Sequence, residues 1–367
     1  MRTDTAQKDC KSHGYSEYQQ QSITCTIKST FTSFLKSVLG TYLPVLAVLA
    51  CSCAEEPETN QVSILEEVYS TEIQMKVSPT EVPGHIARAD IFIFNTDSLG
   101  RLDAYLKQED IEDNKLSVCS RGGRKRILVC CNMSLKEKDI MNISTEADLE
   151  KCFCMLEDTK RDTPMLIGSL EAMIPGEQKN MHLRPVASTI ELRSVCCNFT
   201  GTPYEKETLT DAKVYLTNVN AQFNLTGSSQ TARRFINMGM LNMDDVGRFE
   251  DPEIIVQNIK EDIGETIMNP DVSLLCFQNH CEAESPGSPF TRLVIEGKIQ
   301  GETYYWPVSI NRIDNGEGIT TNTRHVFDIT IRRKGSSDPD RDIFIENSGT
   351  IMKIEQWTEK EEHLICF

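Results

Sequence analysis

This 367-residue chain has no apolar run approaching the roughly 20 residues that a membrane-spanning helix needs. It contains no Walker A loop, no Gly-x-Gly-x-x-Gly turn, no Gly-x-Ser-x-Gly elbow and no His-Glu-x-x-His pair, so the usual signatures of phosphate, dinucleotide, nucleophilic and zinc-hydrolase chemistry are missing. Basic charge is scarce. Lys and Arg number 38 against 55 Asp and Glu, a net charge of −17; residues 1–53 carry +2, which leaves −19 on the rest. Such a surface repels phosphate backbones and excludes nucleic acid as a natural partner. Tryptophan is limited to Trp306 and Trp357, a thin supply for stacking sugars, and Trp306 falls in an apolar strand where core packing explains it. The histidines beyond residue 53 (His85, His182, His280, His325 and His363) are scattered, and His325 reads as a sheet residue rather than a base. The carboxylate pairs Asp244-Asp245 and Asp338-Pro339-Asp340 read as a solvated loop and an Asx-Pro turn. No enzyme is indicated, and no metal site or cofactor is expected.

What the chain does have begins at residues 38–53, VLGTYLPVLAVLACSC, followed at once by the acidic AEEPE. The run has the length of a signal-peptide h-region, with Lys28 and Lys36 before it and no acidic residue between Glu17 and Glu55. Val48-Leu49-Ala50-Cys51 resembles a bacterial lipobox. Residues 1–50 are therefore expected to be a lipoprotein-type signal peptide, with Cys51 as lipid acceptor and Cys53 the alternative. The covalent lipid would anchor the chain to the outer membrane. Residues 51–70, polar and acidic, read as a flexible tether.

Twelve of the 14 cysteines lie at or beyond Cys51. Exported chains use cysteines for disulfides, but Arg126–Asn132 and Leu192–Asn198 read as strands in which cysteine stands in for a small apolar core residue. Adjacent strand residues face opposite ways, so Cys130-Cys131 and Cys196-Cys197 should not bond internally. Cys152-x-Cys154 and Cys276–His280–Cys281 lack the second half of a zinc site. The four Asn-x-Ser/Thr sequons, at Asn132, Asn142, Asn198 and Asn224, are read as chance.

From Glu72 onward, short strands alternate with turn chemistry: Ala89–Asn95, Ile127–Asn132, Met181–Val195, Val214–Val219, Ser273–Phe277, Arg292–Glu296, Tyr304–Asn311 and His325–Arg332. One helix is expected at Thr145–Leu156, with Leu149, Cys152, Phe153 and Leu156 on one face and Thr145 with Asp148 capping its start. This is a mainly β chain with few short helices, organised as a β-sandwich repeated twice over residues 71–179 and 180–367.

Four segments in this order resemble fimbrillin-type subunits of type V pili. They are Ala89–Asn95 with Leu99-Gly-Arg-Leu-Asp-Ala-Tyr105; Pro164-Met165, Gly168 and Leu183-Arg-Pro-Val-Ala187; Thr291–Gly297 with Tyr304-Tyr-Trp-Pro-Val308; and Asn322, Phe327–Ile331 and Lys334–Asp340. The resemblance implies two transthyretin-like β-sandwich domains in a structural subunit of a cell-surface fimbria that contributes to adhesion. It also implies export as a lipoprotein, cleavage after a basic residue, and assembly with other fimbrial subunits by strand addition. Lys76 and Arg88 are then the candidate processing residues, and Glu72–Val77 a first strand. The tail 349–367, with Ile351, Met352, Ile354, Trp357, Leu364 and Ile365, is the candidate donor. Lys76 is the one basic residue between Cys51 and His85, which keeps fimbrial anchor or tip roles open, with a host or bacterial surface receptor as a further partner. A surface glycan-binding lipoprotein is the alternative of another class.

Overall fold

Two of the apolar runs, Ala89–Phe94 and Ile127–Cys131, lack polar alternation because both of their faces are buried. In the computed structural model, Ala89, Ile91, Ile93, Ile127, Val129 and Cys131 point into one core, while Phe92, Phe94, Leu128 and Cys130 point into another. The structure describes residues 67–77, 85–227, 234–237, 246–280, 283–285, 287–310, 318–341 and 343, and the backbone of 353–356 and 364–366.

The first core lies inside a seven-stranded sheet folded on itself. Its strands are β1 (Val68–Val77), β2 (Arg88–Asn95), β3 (Arg101–Glu109), β4 (Lys115–Arg121), β5 (Gly123–Cys131), β7 (Leu166–Ile174) and β8 (Lys179–Pro185), with β6 (Phe153–Met155) outside it. The order is β3-β2-β5-β7-β8-β1-β4. β8 changes partners along its length: Lys179–Leu183 runs parallel to β1, while Arg184 and Pro185 pair antiparallel with Ile167 and Leu166 of β7. Gly168 sits at that divergence, where a Cβ would lie 2.6 Å from the His182 carbonyl oxygen, so only glycine fits without a shift. The two end strands meet through Asp103. It falls where the β2–β3 register shifts between Ile93 and Phe94, and such an irregularity re-aims a side chain. Its carboxylate accepts from the Arg121 backbone N–H at 3.2 Å and lies 2.9 Å from Lys125 Nζ. The Lys125 side chain is fully buried, and the ammonium is off the line of a directed hydrogen bond, so the contact is an ion pair.

The remaining strands form the second half: β9 (Ser188–Cys197), β10 (Thr210–Thr217), β11 (Val219–Asn220), β12 (Gln222–Asn224), β13 (Phe235–Ile236), β14 (Val256–Asn258), β15 (Val272–Cys276), β16 (Asn279–His280), β17 (Arg292–Ile299), β18 (Glu302–Ser309), β19 (Gly318–Ile319), β20 (Thr323–Ile331), β21 (Lys353–Gln356) and β22 (Leu364–Cys366). Sheets β14-β10-β17-β18 and β15-β9-β20-β21 enclose a core that includes Leu192, Leu216, Leu293, Ile295, Trp306 and Phe327. Trp306 is fully buried and donates from Nε1 to the Arg333 carbonyl at 3.0 Å, as a packing residue should. β9 and β20 run parallel, with a register shift at Arg193 that keeps Leu192 and Val195 both buried and brings Arg193 and Ser194 onto Asp328.

Three expectations change in detail. Residues 145–156 do not form one helix. Glu146–Lys151 makes a 3-10 turn in which Asp148 accepts from the Ser144 and Thr145 N–H groups. The chain then extends as β6, pairing with β12. Cys152, Cys154 and Leu156 are buried and Phe153 and Met155 only partly, a period of two that the apolar content had disguised as helical. The first sandwich extends to Pro185 rather than residue 179, since β8 belongs to its sheet, and β1 starts at Val68, inside the stretch read as tether. The helical content among the described residues otherwise includes α1 (Glu137–Met141) and short 3-10 turns.

Eight cysteines with described side chains are free: Cys119 is exposed, and Cys130, Cys131, Cys152, Cys154, Cys196, Cys197 and Cys276 are buried. Cys130 and Cys131 serve opposite cores, as alternation requires. Burial pushes the thiols of Cys131 and Cys197 up to about 12.

Two stability outcomes follow. Lys125→Met, which leaves the buried Asp103 carboxylate with only the exposed Arg121 guanidinium, 3.7 Å away, as counter-charge, should cost about 3 kcal/mol in chemical denaturation, and Lys125→Met with Asp103→Leu should recover most of it. His325 is buried in β20 with Nε2 3.1 Å from Thr323 Oγ1 and Nδ1 unpartnered. Desolvation depresses it to about 4 from 6.5. Between those values the unfolded chain binds the extra proton, so stability falls as pH drops from 6.5 toward 4, by roughly 3 kcal/mol for this residue. Denaturation midpoints compared across that window should show a shallower acid loss in His325→Gln; parallel curves would refute the assignment.

Candidate functional site: the β1 slot and the residues that close it

β1 alternates between exposed and buried positions, placing Thr71, Ile73 and Met75 inward and Glu72 and Lys76 outward. It is held on both edges. Val68–Gln74 pairs antiparallel with β4, and Ile73–Val77 pairs parallel with β8. Burying Ile73 and Met75 contributes on the order of 3–6 kcal/mol, at about 1.5–3 kcal/mol per side chain. Taking β1 out would leave the facing edges of β4 and β8 without a hydrogen-bonding partner and open an apolar slot between them.

The two candidate processing residues are both tied into the sheet. Lys76 is outward-facing but sits in β1 opposite His182 of β8. Arg88 opens β2, where Ala89 pairs with Cys131 of β5. The Arg88 guanidinium donates from Nε to Asp90 Oδ2 at 3.0 Å, and Tyr105 donates its hydroxyl to Asp90 Oδ1 at 2.6 Å. Asp90 is fully buried, so Arg88 supplies its neutralising charge. Burial, followed by the Asp90 hydrogen bond, drives the Tyr105 phenol well above its ordinary range.

A residue that the sequence offered only as a sequon holds the segment before and at Arg88. Asn132, at φ 57°, accepts on Oδ1 from the Ala87 and Arg88 N–H groups at 3.0 and 3.4 Å, and donates from Nδ2 to the carbonyls of His85 and Pro164 at 2.9 and 3.0 Å. Its backbone N–H also donates to the Arg88 carbonyl at 3.0 Å. The amide therefore clips residues 85–88 to the end of β5. In the sequence Asn132 registered merely as a sequon; its position after the Ile127–Cys131 strand, where a left-handed residue is common, was the available signal.

At the other end of the chain, β21 pairs antiparallel with Thr323–Val326 and β22 pairs parallel with Asp328–Thr330, both along β20. Ile354 lies in β21, and Leu364 and Ile365 in β22. Ile351, Met352 and Trp357, like Cys51 and Cys53, lie outside the described residues. Among the described residues no cluster of three His, Cys, Asp or Glu side chains is arranged to hold a metal, and no helix is long and apolar enough to cross a membrane.

No protein-family model matches the sequence, and no curated protein does. Solved structures do match. A candidate cell adhesion protein from Bacteroides eggerthii superposes with a TM-score of 0.57 at 15% identity, over 82% of this chain and 98% of that one. Another from Parabacteroides distasonis gives 0.55 at 13% identity, over 79% and 96%. A fimbrilin from Porphyromonas gingivalis gives 0.53 at 12% identity, over 82% and 97%. The chain has the fimbrilin fold. Those structures are covered almost end to end, so the likeness in fold includes both halves.

If the Asn132 amide holds residues 85–88, Asn132→Gly, which tolerates the positive φ while removing four side-chain hydrogen bonds, should free them. At about 1 kcal/mol per bond, trypsin cleavage between Arg88 and Ala89 should accelerate at least tenfold. The rate is read from the appearance of a product beginning at Ala89; equal rates in both proteins would remove the clip.

Proposed function

We propose that the chain is a structural subunit of a cell-surface fimbria, non-enzymatic, made as an outer-membrane lipoprotein through Cys51 and assembled with other fimbrial subunits by strand addition. The observation that carries this reading is the fimbrilin fold matched over 82% of the chain and 97% of the fimbrilin. Fold alone does not assign function, but β1 adds a local argument. It is a ten-residue strand at the N-terminal end of the described body, paired on both edges. Cleavage after Arg88 removes it whole, whereas cleavage after Lys76 leaves Val77 behind. The slot so opened asks for an extended segment with apolar residues two apart, as Ile73 and Met75 are. Met352 and Ile354 of the tail have that spacing.

A second reading rests on the pairing of β21 and β22 along β20. A tail committed to its own sheet edge caps the chain instead of reaching a neighbour, which suits a terminal subunit, an anchor or a tip.

The test is to treat the full chain with an arginine-specific protease and follow both the N-terminus and the assembly state. A stalk subunit should yield a new N-terminus at Ala89 together with a ladder of SDS-resistant oligomers, and removal of residues 349–367 should abolish the ladder while leaving the melting curve unchanged. Cleavage at Ala89 without any ladder would overturn the stalk reading in favour of a terminal subunit. In cells, Cys51→Ala should end palmitate labelling; labelling that survives in the Cys51→Ala, Cys53→Ala double variant would refute lipidation.

A further inference from the structure

Where β8 leaves β7 to join β1, the divergence opens a cleft of about 450 Å³ between the first sandwich and the segment after β12. Its size is that of a small-molecule site. Its lining is unusual for this chain. Acidic residues outnumber basic ones 55 to 38 in the sequence, yet among the described residues no Asp or Glu lines the cleft, while Arg126, His182 and Arg184 do. His182 and Arg184 are successive outward positions of β8, two residues apart, so both reach the same side. Arg126 is held by Glu146 at 3.0 Å. The Arg184 side chain has no ion-pair or hydrogen-bond partner among the described residues, and its guanidinium lies over Gly227, within 3.9 Å of where a Cβ would be.

A second feature is independent of the charges. Asn322, at φ 57° in the turn before β20, also lines the cleft, and its Oδ1 is shielded from solvent with no donor. An unmet acceptor of this kind is costly to keep and is satisfied by an incoming hydroxyl or N–H. Thr226 adds a hydroxyl to the same lining.

We infer that this cleft binds a sugar acid, a saccharide ring bearing a carboxylate. The carboxylate pairs with the Arg184 fork, the bidentate geometry guanidinium favours, with the His182 ring as a further polar group on the same side of β8. Ring hydroxyls donate to Asn322 Oδ1 after a turn of its amide and to Thr226 Oγ1, whose own proton goes to Asn224 Oδ1. An inorganic anion satisfies the cations but offers no donor to Asn322, and a neutral sugar satisfies Asn322 but leaves the guanidinium unpaired. The inference gives the proposed surface subunit a ligand class for adhesion and rests on that reading only for its biological setting. Binding by the isolated chain does not depend on polymerisation, so the two can fail separately.

The experiment is saturation-transfer NMR with titration on the full chain, using N-acetylneuraminic acid and glucuronic acid as probes, methyl glucoside as the neutral control and a short Asp/Glu peptide as the non-saccharide acid. Saturable binding of at least one sugar acid is expected, with the neutral sugar and the peptide at least tenfold weaker. Arg184→Met should weaken the sugar acid at least tenfold with an unchanged melting temperature, and Asn322→Gly, which tolerates the positive φ, at least threefold, whereas Arg121→Met, a cation outside the cleft, should leave binding unaltered. Arg184→Lys should restore part of the affinity, because charge remains while the fork is lost. No saturable binding by either sugar acid, equal binding of methyl glucoside or of the peptide, or binding insensitive to Arg184→Met would each overturn the inference.

Discussion

The constraint on which the rest of the structure depends is that β2 and β5 are buried on both faces. A strand in an ordinary antiparallel sandwich gives one face to water. Here Ile91 and Ile93 face the interior of the first sandwich, while Phe92 and Phe94 face the chain that returns across residues 133–165. Phe92 meets Tyr105 at a ring-centroid distance of 5.1 Å, within the range of favourable aromatic contact. The second core continues from Phe92 and Leu128 through Cys152 and Leu156 to Leu216 and Phe327, so the two halves share apolar packing and are not beads on a linker. Even Asp90, on such a strand, can be buried only because Arg88 and Tyr105 satisfy it.

What could be read in the sequence follows from this. Strands such as β4, with Leu116, Val118 and Ser120 inward and Lys115, Ser117 and Cys119 outward, carry a plain period of two. The doubly buried strands were visible as uninterrupted apolar runs, and cysteine as a core residue was legible because Cys130-Cys131 continues one of them. The mainly β class and the two-sandwich plan were therefore open to inspection. The stretch around Cys152 was not, because cysteine, phenylalanine and leucine at those spacings satisfy a helical and an extended period alike. Pairing with Gln222–Asn224, about 70 residues later, decided the matter.

The candidate site was less legible, for a physical reason. Its key positions depend on irregularities: the β2–β3 register shift that turns Asp103 toward Lys125, the left-handed turn at Asn132, and the point at which β8 trades β7 for β1. Each is a non-local event with no composition of its own. Arg88 was noticed because arginine is rare there, but its service to Asp90 needed the fold. The cleft at Arg184 brings together residues from β5, β7, β8, the segment after β12 and the turn before β20, a set that no linear pattern could have gathered.

The double flanking of the β1 position has a mechanical side. A strand at the edge of a sheet can be peeled away one hydrogen bond at a time under a small force. A strand tied to β4 through Val68–Gln74 and to β8 through Ile73–Val77, pulled along its own axis, loads both ladders in shear at once. A segment from a neighbouring subunit seated there would be loaded in shear along its whole length. A fibre built from such joints would resist flow through the geometry of the joint, with no covalent link between its subunits.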